Sequence, residues 1–164
     1  MAQTFGPENA TLTVRTKRTG AASKAGHDLL IEVTSWSATL DPDADPALTL
    51  TADSRSLRVI EGTGGMQALD ADARANIDQT INDEVLMGTP IEFRSTSVEG
   101  RRFEGELELA GQRHPISFEV AGDEDGRLTG SATVKQSDWG MKPYSALFGA
   151  LKVADDVEVA FETH

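Results

Sequence analysis

Apolar and polar residues alternate with a period of two along most of this chain. In the segment 27–41, "HDLLIEVTSWSATLD", Leu29, Ile31 and Val33 fall on one face, and Trp36 and Ala38 fall on the opposite face. This alternation predicts one long β-strand. Similar alternation predicts seven further strands, at 10–16 (ATLTVRT), 47–60 (ALTLTADSRSLRVI), 90–99 (PIEFRSTSVE), 101–110 (RRFEGELELA), 114–121 (HPISFEVA), 127–137 (RLTGSATVKQS) and 155–163 (DDVEVAFET).

One segment between the predicted strands has a helical period instead. In "LDADARANIDQTINDEVL", apolar residues recur four positions apart, at Ala73, Ile77, Ile81 and Val85. Asp70 precedes this run, at the end of a helix where a negative charge is favourable. The pattern predicts a single amphipathic helix over about residues 70–85.

Eight strands with one inserted helix cannot form repeated β-α-β units, so we expect an antiparallel sheet in a single domain, 1–164. Two architectures remain, a closed barrel and a two-layer sandwich. Gly105 and Gly130 lie inside predicted strands, where glycine permits strong bending or the close approach of a neighbour. They favour a closed eight-stranded barrel, whose interior is either filled by side chains or holds one small ligand.

Composition excludes several classes of function. The formal net charge of −12 argues against binding to nucleic acid, which requires clustered Lys and Arg. The chain has no cysteine, and its 3 histidines are too scattered for a metal site. No Gly-x-Ser-x-Gly motif is present, so the sequence shows no catalytic machinery. No segment reads as a signal peptide or a membrane span, so we expect a cytoplasmic protein that does not cross the membrane.

Four segments of the chain resemble motifs of the YceI-like family and occur in the same order as in that family. "KQSDWGMKPYSALFGALKVADDVEVAF" is similar to the family's closing turn and final strand, and "SKAGHDLLIEVTSWSATL" to its early strand. "GTPIEFRSTSV" and "FEGELELAGQRHPISFEV" are similar to its central strands. The resemblance spans nearly the whole chain. It implies a lipocalin-like antiparallel barrel with a packed helix, whose lumen binds a long polyisoprenoid chain such as an isoprenoid quinone or a polyprenyl carrier.

The resemblance therefore implies a non-enzymatic protein that binds, carries or sequesters an isoprenoid lipid, with no other cofactor. We expect the apolar segment 139–151 to line and cap the lumen, and the larger apolar strand residues to line it. For any single residue, ordinary core packing is the alternative. The ligand-binding candidates are Trp36, Phe93, Phe103, Leu107, Ile116, Phe118, Trp139, Met141, Tyr144, Leu147 and Phe148.

Polar candidates are few. His27 and Asp138 are the candidates for contacting a ligand head group. One alternative function is an enzyme that acts on an apolar substrate with His27, Asp28 and Asp138 as acid–base groups. Another is a ligand-free, stress-linked interaction protein with a filled barrel. A homodimer is one possible oligomeric state, because apolar patches on barrel exteriors favour association.

Overall fold

The computed structural model describes residues 2–20, 27–63, 69–143, 145–146 and 151–164, with the backbone alone described at 145–146 and 151–152. It confirms an all-β fold with one helix. The strands are β1 Gln3–Phe5, β2 Ala10–Thr16, β3 Arg18–Thr19, β4 Asp28–Val33, β5 Trp36–Leu40, β6 Leu48–Ala52, β7 Leu57–Thr63, β8 Ile91–Glu99, β9 Arg102–Leu109, β10 Gln112–Gly122, β11 Leu128–Lys135, β12 Ser145–Ala146, β13 Leu151–Val153 and β14 Asp156–Thr163. The α-helix α1 spans Ala71–Thr80.

Eleven strands form one antiparallel sheet in the order β1-β5-β6-β8-β9-β10-β11-β14-β2-β4-β7. A second sheet of three short strands has the order β12-β13-β3. The prediction of eight strands was therefore too low. Two of the predicted strands are each broken into two, and the short strands β1, β3, β12 and β13 had not been predicted.

The two breaks lie opposite each other in one long hairpin. The predicted strand 27–41 becomes β4 and β5, and the predicted strand 47–60 becomes β6 and β7, separated by a 3-10 turn at Ser54–Ser56. At the break, the backbone N–H and the hydroxyl of Thr34 both donate to the Ser56 carbonyl, at 2.9 and 2.7 Å. Because β5 and β6 lie near one end of the sheet order and β4 and β7 at the other, this bent hairpin curls the sheet around its concave face.

The break also changes which residues face inward. Leu29, Ile31 and Val33 face the interior from β4, and Trp36 and Ala38 do so from β5. The inward positions thus change from odd to even numbers across Thr34 and Ser35. The prediction of one uninterrupted strand was wrong, because it would have placed these two apolar sets on opposite faces of the sheet.

The helix lies where the sequence predicted it. Asp70 caps its N-terminus by accepting a 2.8 Å hydrogen bond from the Ala73 N–H. The helix continues as a π-helical turn over Ile81–Val85. It docks on β7, the last strand in the sheet order, where Asp78 Oδ1 accepts a 2.8 Å hydrogen bond from the Val59 N–H. The helix therefore protects part of an exposed strand edge.

A glycine inside β9 permits the close approach that the sequence suggested. A β-carbon on Gly105 would lie 2.7 Å from the Phe93 ring and 2.8 Å from the Ser95 Cα. Both distances are too short for real atoms, so only glycine leaves room for the Phe93 ring over this strand.

Candidate functional site

The concave face of the curled sheet lines a cavity of about 560 Å³. Residues from all eleven strands of the large sheet and from α1 line it. Its wall is almost entirely apolar, because the inward positions of successive strands are Leu, Val, Ile, Ala and Phe. A cavity of this size lies within the usual range for small-ligand sites, about 300 to 1,000 Å³.

Aromatic rings from three neighbouring strands form one side of the wall. The Phe93 and Phe118 rings lie 5.4 Å apart between centroids, and the Phe103 and Phe118 rings stack at 5.6 Å. Both separations are typical of favourable aromatic pairs. Packing among the rings holds this side of the wall in place without filling the cavity.

The structure places most of the predicted ligand-binding residues around this cavity. Trp36 lines it from the start of β5 and is buried. Met141, which follows the turn after β11, also lines it and is buried. The other predicted strand residues that line the cavity are Phe93, Phe103, Leu107, Ile116 and Phe118.

Trp139 has a different position. It is 3 % exposed but does not line the cavity. Its indole N–H donates a 2.9 Å hydrogen bond to the Leu107 carbonyl, and its ring meets His114 edge-on with centroids 5.5 Å apart. Trp139 therefore anchors the turn after β11 to β9 and β10. Three further predicted residues, Tyr144, Leu147 and Phe148, lie outside the described residues.

Most strands contribute lining residues that were not predicted from the sequence, and β2, β4 and β14 are examples. The predicted residues are large apolar side chains, mostly on the central strands, whereas the smaller aliphatic positions on β2, β4 and β14 were overlooked. The signal was present, since these strands alternate with the same period of two. The missed lining residues include Leu12, Val14, Leu29, Ile31, Val33, Val157, Val159 and Phe161.

Four polar side chains that line the cavity form a group we call the polar end: Thr16, Arg18, His27 and Gln136. Thr16 and Arg18 lie at the end of β2 and in β3, and His27 directly precedes β4. Gln136 donates a 3.2 Å hydrogen bond to the Ala154 carbonyl. The Ala154 N–H in turn donates to the carbonyl of Lys17, between Thr16 and Arg18, at 2.7 Å.

Of the two predicted head-group residues, only His27 lines the cavity. Asp138 is exposed, in the 3-10 turn after β11, and is not part of the wall. The cavity therefore does not bring together the acid–base groups that the enzyme alternative requires. Within the described ranges, no three side chains of the types that ligate metals are grouped closely enough to hold an ion.

A carboxylate outside the cavity holds the turn after β11. The Ser137 N–H donates to Asp155 Oδ1 at 2.8 Å, and its hydroxyl donates to Asp155 Oδ2. These hydrogen bonds, the hydroxyl first, lower the pKa of Asp155 against a smaller opposing effect of burial. The contact links β14 to the turn that carries Gln136 and Trp139.

Comparison with known proteins places the chain in a family. A family model described as a YceI-like domain matches residues 5–164. The chain belongs to the YceI-like family. No curated protein matches the sequence.

Two solved structures of YceI-like proteins share the fold. BcnA from Burkholderia cenocepacia superposes with a TM-score of 0.60 at 16 % identity, over 93 % of this chain and 94 % of that one. A mutant CJ YCEI protein, CJ-N182C with a monobromobimane guest structure, gives a TM-score of 0.52 at 17 % identity, over 81 % of each chain. At these identities the comparison establishes the fold alone.

No helix in the described part of the chain is long and apolar enough to cross a membrane.

Proposed function

We propose that this protein binds an isoprenoid lipid, an isoprenoid quinone or a polyprenyl chain, in the cavity of its curled sheet, and that it carries or sequesters this lipid without chemical change. The observation that carries the proposal is the cavity of about 560 Å³ with its almost wholly apolar wall. Membership of the YceI-like family supports it, since the characterised members of that family bind such lipids.

The apolar wall determines how such a ligand is held. Each buried methylene contributes about 0.8 kcal/mol, so a five-carbon prenyl unit contributes on the order of 4 kcal/mol before costs. Ordering each flexible part of the ligand costs about 0.5 to 1.5 kcal/mol. One prenyl unit therefore binds weakly, and affinity grows as further units enter the cavity.

The cavity volume sets the limit to that growth. A methylene occupies about the same space as a water molecule in the liquid, roughly 30 Å³. The cavity of about 560 Å³ therefore accommodates about 19 carbons, or close to four prenyl units. Carbons beyond this number remain outside the apolar wall and add little.

The experiment is a titration with prenyl alcohols of two, three, four and six units, followed by intrinsic tryptophan fluorescence. Trp36 lines the cavity and reports occupancy, and a Trp36→Phe variant identifies its part of the signal. We expect affinity to rise about 10-fold or more per unit up to four units and then to level off. Equal affinity for all lengths, or no binding, would contradict the proposal.

The same proposal includes features of the assembly. We infer that the bent hairpin of β4 to β7 closes the sheet into a barrel around the ligand. A cytoplasmic location and a homodimer remain predictions from the sequence, to be tested by fractionation of the native host and by the mass of the protein in solution.

A further inference from the structure

The wall of the cavity carries one kind of charge. Acidic residues outnumber basic ones by 27 to 15 in this chain. Among the cavity-lining residues that the structure describes there is nevertheless no Asp or Glu, whereas Arg18 and His27 are both present. A strongly acidic protein thus presents a cation, and no carboxylate, to the space where its ligand lies.

The position of Arg18 is fixed by its neighbours. Its backbone N–H donates a 2.9 Å hydrogen bond to Asp28 Oδ1, and its Nη1 donates a 3.0 Å hydrogen bond to the Thr63 carbonyl. Asp28 and Thr63 are themselves paired across β4 and β7. The guanidinium therefore sits where the ends of three strands meet, at one end of the apolar wall. The guanidinium is a planar fork of N–H donors, a geometry that suits an anionic group.

A buried hydroxyl lies beside Arg18. Thr16 lines the cavity, is 9 % exposed, and its Oγ1 has no hydrogen-bond partner within the described structure. A buried polar atom without a partner is costly, typically about 1 to 3 kcal/mol. A ligand whose polar group reaches this end of the cavity would offer Thr16 an acceptor or a donor.

We infer that the polar end selects a lipid with an anionic head group, and that Arg18 is the residue that determines this selectivity. The inference rests on the proposed function, because it concerns the ligand of the same cavity. Its occupant is a single-chain lipid that ends in an anion, with up to about 20 carbons of its tail along the apolar wall. A prenyl diphosphate and a fatty acid both meet this description. Hydrogen bonds from a guanidinium to an anion are about twice as strong as neutral ones.

The test compares lipids with the same tail and different heads. The probes are geranylgeranyl diphosphate with geranylgeraniol, and hexadecanoate with hexadecanol, titrated by calorimetry below their critical micelle concentrations. In the pair whose tail fits the cavity, we expect the wild-type protein to bind the anionic lipid at least 10-fold more tightly than the alcohol with the same tail. Raising the salt concentration from 50 to 500 mM should reduce this ratio, because the polar end is only partly buried.

Variants assign the effect to Arg18. Arg18→Gln should lower the anion-to-alcohol affinity ratio toward one, and Arg18→Lys should restore part of it. The matched control is Arg15→Gln, which removes the same charge from an exposed position on β2 outside the cavity. That control should retain the wild-type ratio.

The outcomes separate this inference from the proposed function. Equal affinity for acid and alcohol in the wild-type protein would overturn the inference and leave the lipid-binding function intact. Binding of hexadecanoate without binding of either prenyl compound would support the anionic head group and contradict the isoprenoid tail. If no probe binds, both are wrong. If Arg18→Gln fails to fold, the anion-to-alcohol affinity ratio of the wild-type protein and its dependence on salt still test the inference.

Discussion

Filling part of the cavity should weaken lipid binding without destabilising the fold. Ala132 lines the cavity from β11, opposite Val159 in the neighbouring strand β14. The substitution Ala132→Phe adds six carbons, about 180 Å³ at the volume of one water per carbon. This is about a third of the cavity of about 560 Å³.

The expected loss of affinity follows from that volume. Six displaced ligand carbons forfeit about 5 kcal/mol of apolar burial before costs. The ligand also saves the cost of ordering those carbons, about 0.5 to 1.5 kcal/mol for each flexible part. A net loss of about 2 to 3 kcal/mol remains, so we expect geranylgeraniol to bind about 100-fold more weakly.

The effect of Ala132→Phe on the free energy of unfolding should be opposite to its effect in a filled core. In a filled interior, an added phenyl ring forces side chains out of their rotamers and costs about 1 to 3 kcal/mol. In a hollow one, the ring finds room and buries its own apolar surface. We therefore expect the free energy of unfolding of the ligand-free variant to be unchanged or higher, by chemical denaturation.

The matched control is Thr133→Phe. Thr133 is the next residue of β11, and its side chain is exposed on the outer face. This control should bind lipid as the wild-type protein does. A strongly destabilised Ala132→Phe protein, or one that binds geranylgeraniol normally, would refute the reasoning that the sheet encloses a hollow, lipid-sized space.

Two further predictions concern the elements that frame the cavity. Asp78→Ala removes the acceptor of the buried Val59 N–H and should lower the free energy of unfolding by about 1 to 3 kcal/mol, whereas the exposed Asp83→Ala should not. Ser137→Ala should return the lowered pKa of Asp155 toward its usual value, measured by NMR titration. Because that pKa is lowered on folding, the contact stabilises the protein above the unfolded pKa and loses its effect as pH falls through the folded one. If the Ser137→Ala variant loses stability over the same acidic pH range as the wild-type protein, this prediction is wrong.

Much of the fold follows from the two periodicities in the sequence. The period of two predicted most of the strands, and β2 has the predicted bounds, Ala10–Thr16. The four-residue spacing predicted α1 and its continuation to Val85. These patterns are local, and neither depends on distant parts of the chain.

The sequence also contains a signal for the bend in the hairpin, but this signal is weaker than the two periodicities. Inward residues change from odd to even numbers between Val33 and Trp36, which requires an extra residue in the strand. The polar character of Thr34 and Ser35 obscured the change. Their hydrogen bonds to Ser56 and Asp53 join positions about 20 residues apart in sequence, and strand alternation alone does not reveal such contacts.

The candidate site was harder to predict than the fold. Large apolar residues on the central strands were identified because size and alternation mark them. Trp139 was assigned to the cavity, although its partners are Leu107 and His114. Arg18 was overlooked, because a single arginine near a turn looks like a surface residue until the sheet brings the ends of β2, β4 and β7 together.

Native mass spectrometry of the protein purified from its own host, without organic extraction, tests the central claim most directly. The claim is that the curled sheet is hollow and holds one lipid molecule. We expect a single bound lipid molecule, released by organic solvent and replaced by added geranylgeranyl diphosphate or geranylgeraniol. Detection of the apo mass alone, with no binding of either added compound, would contradict the account.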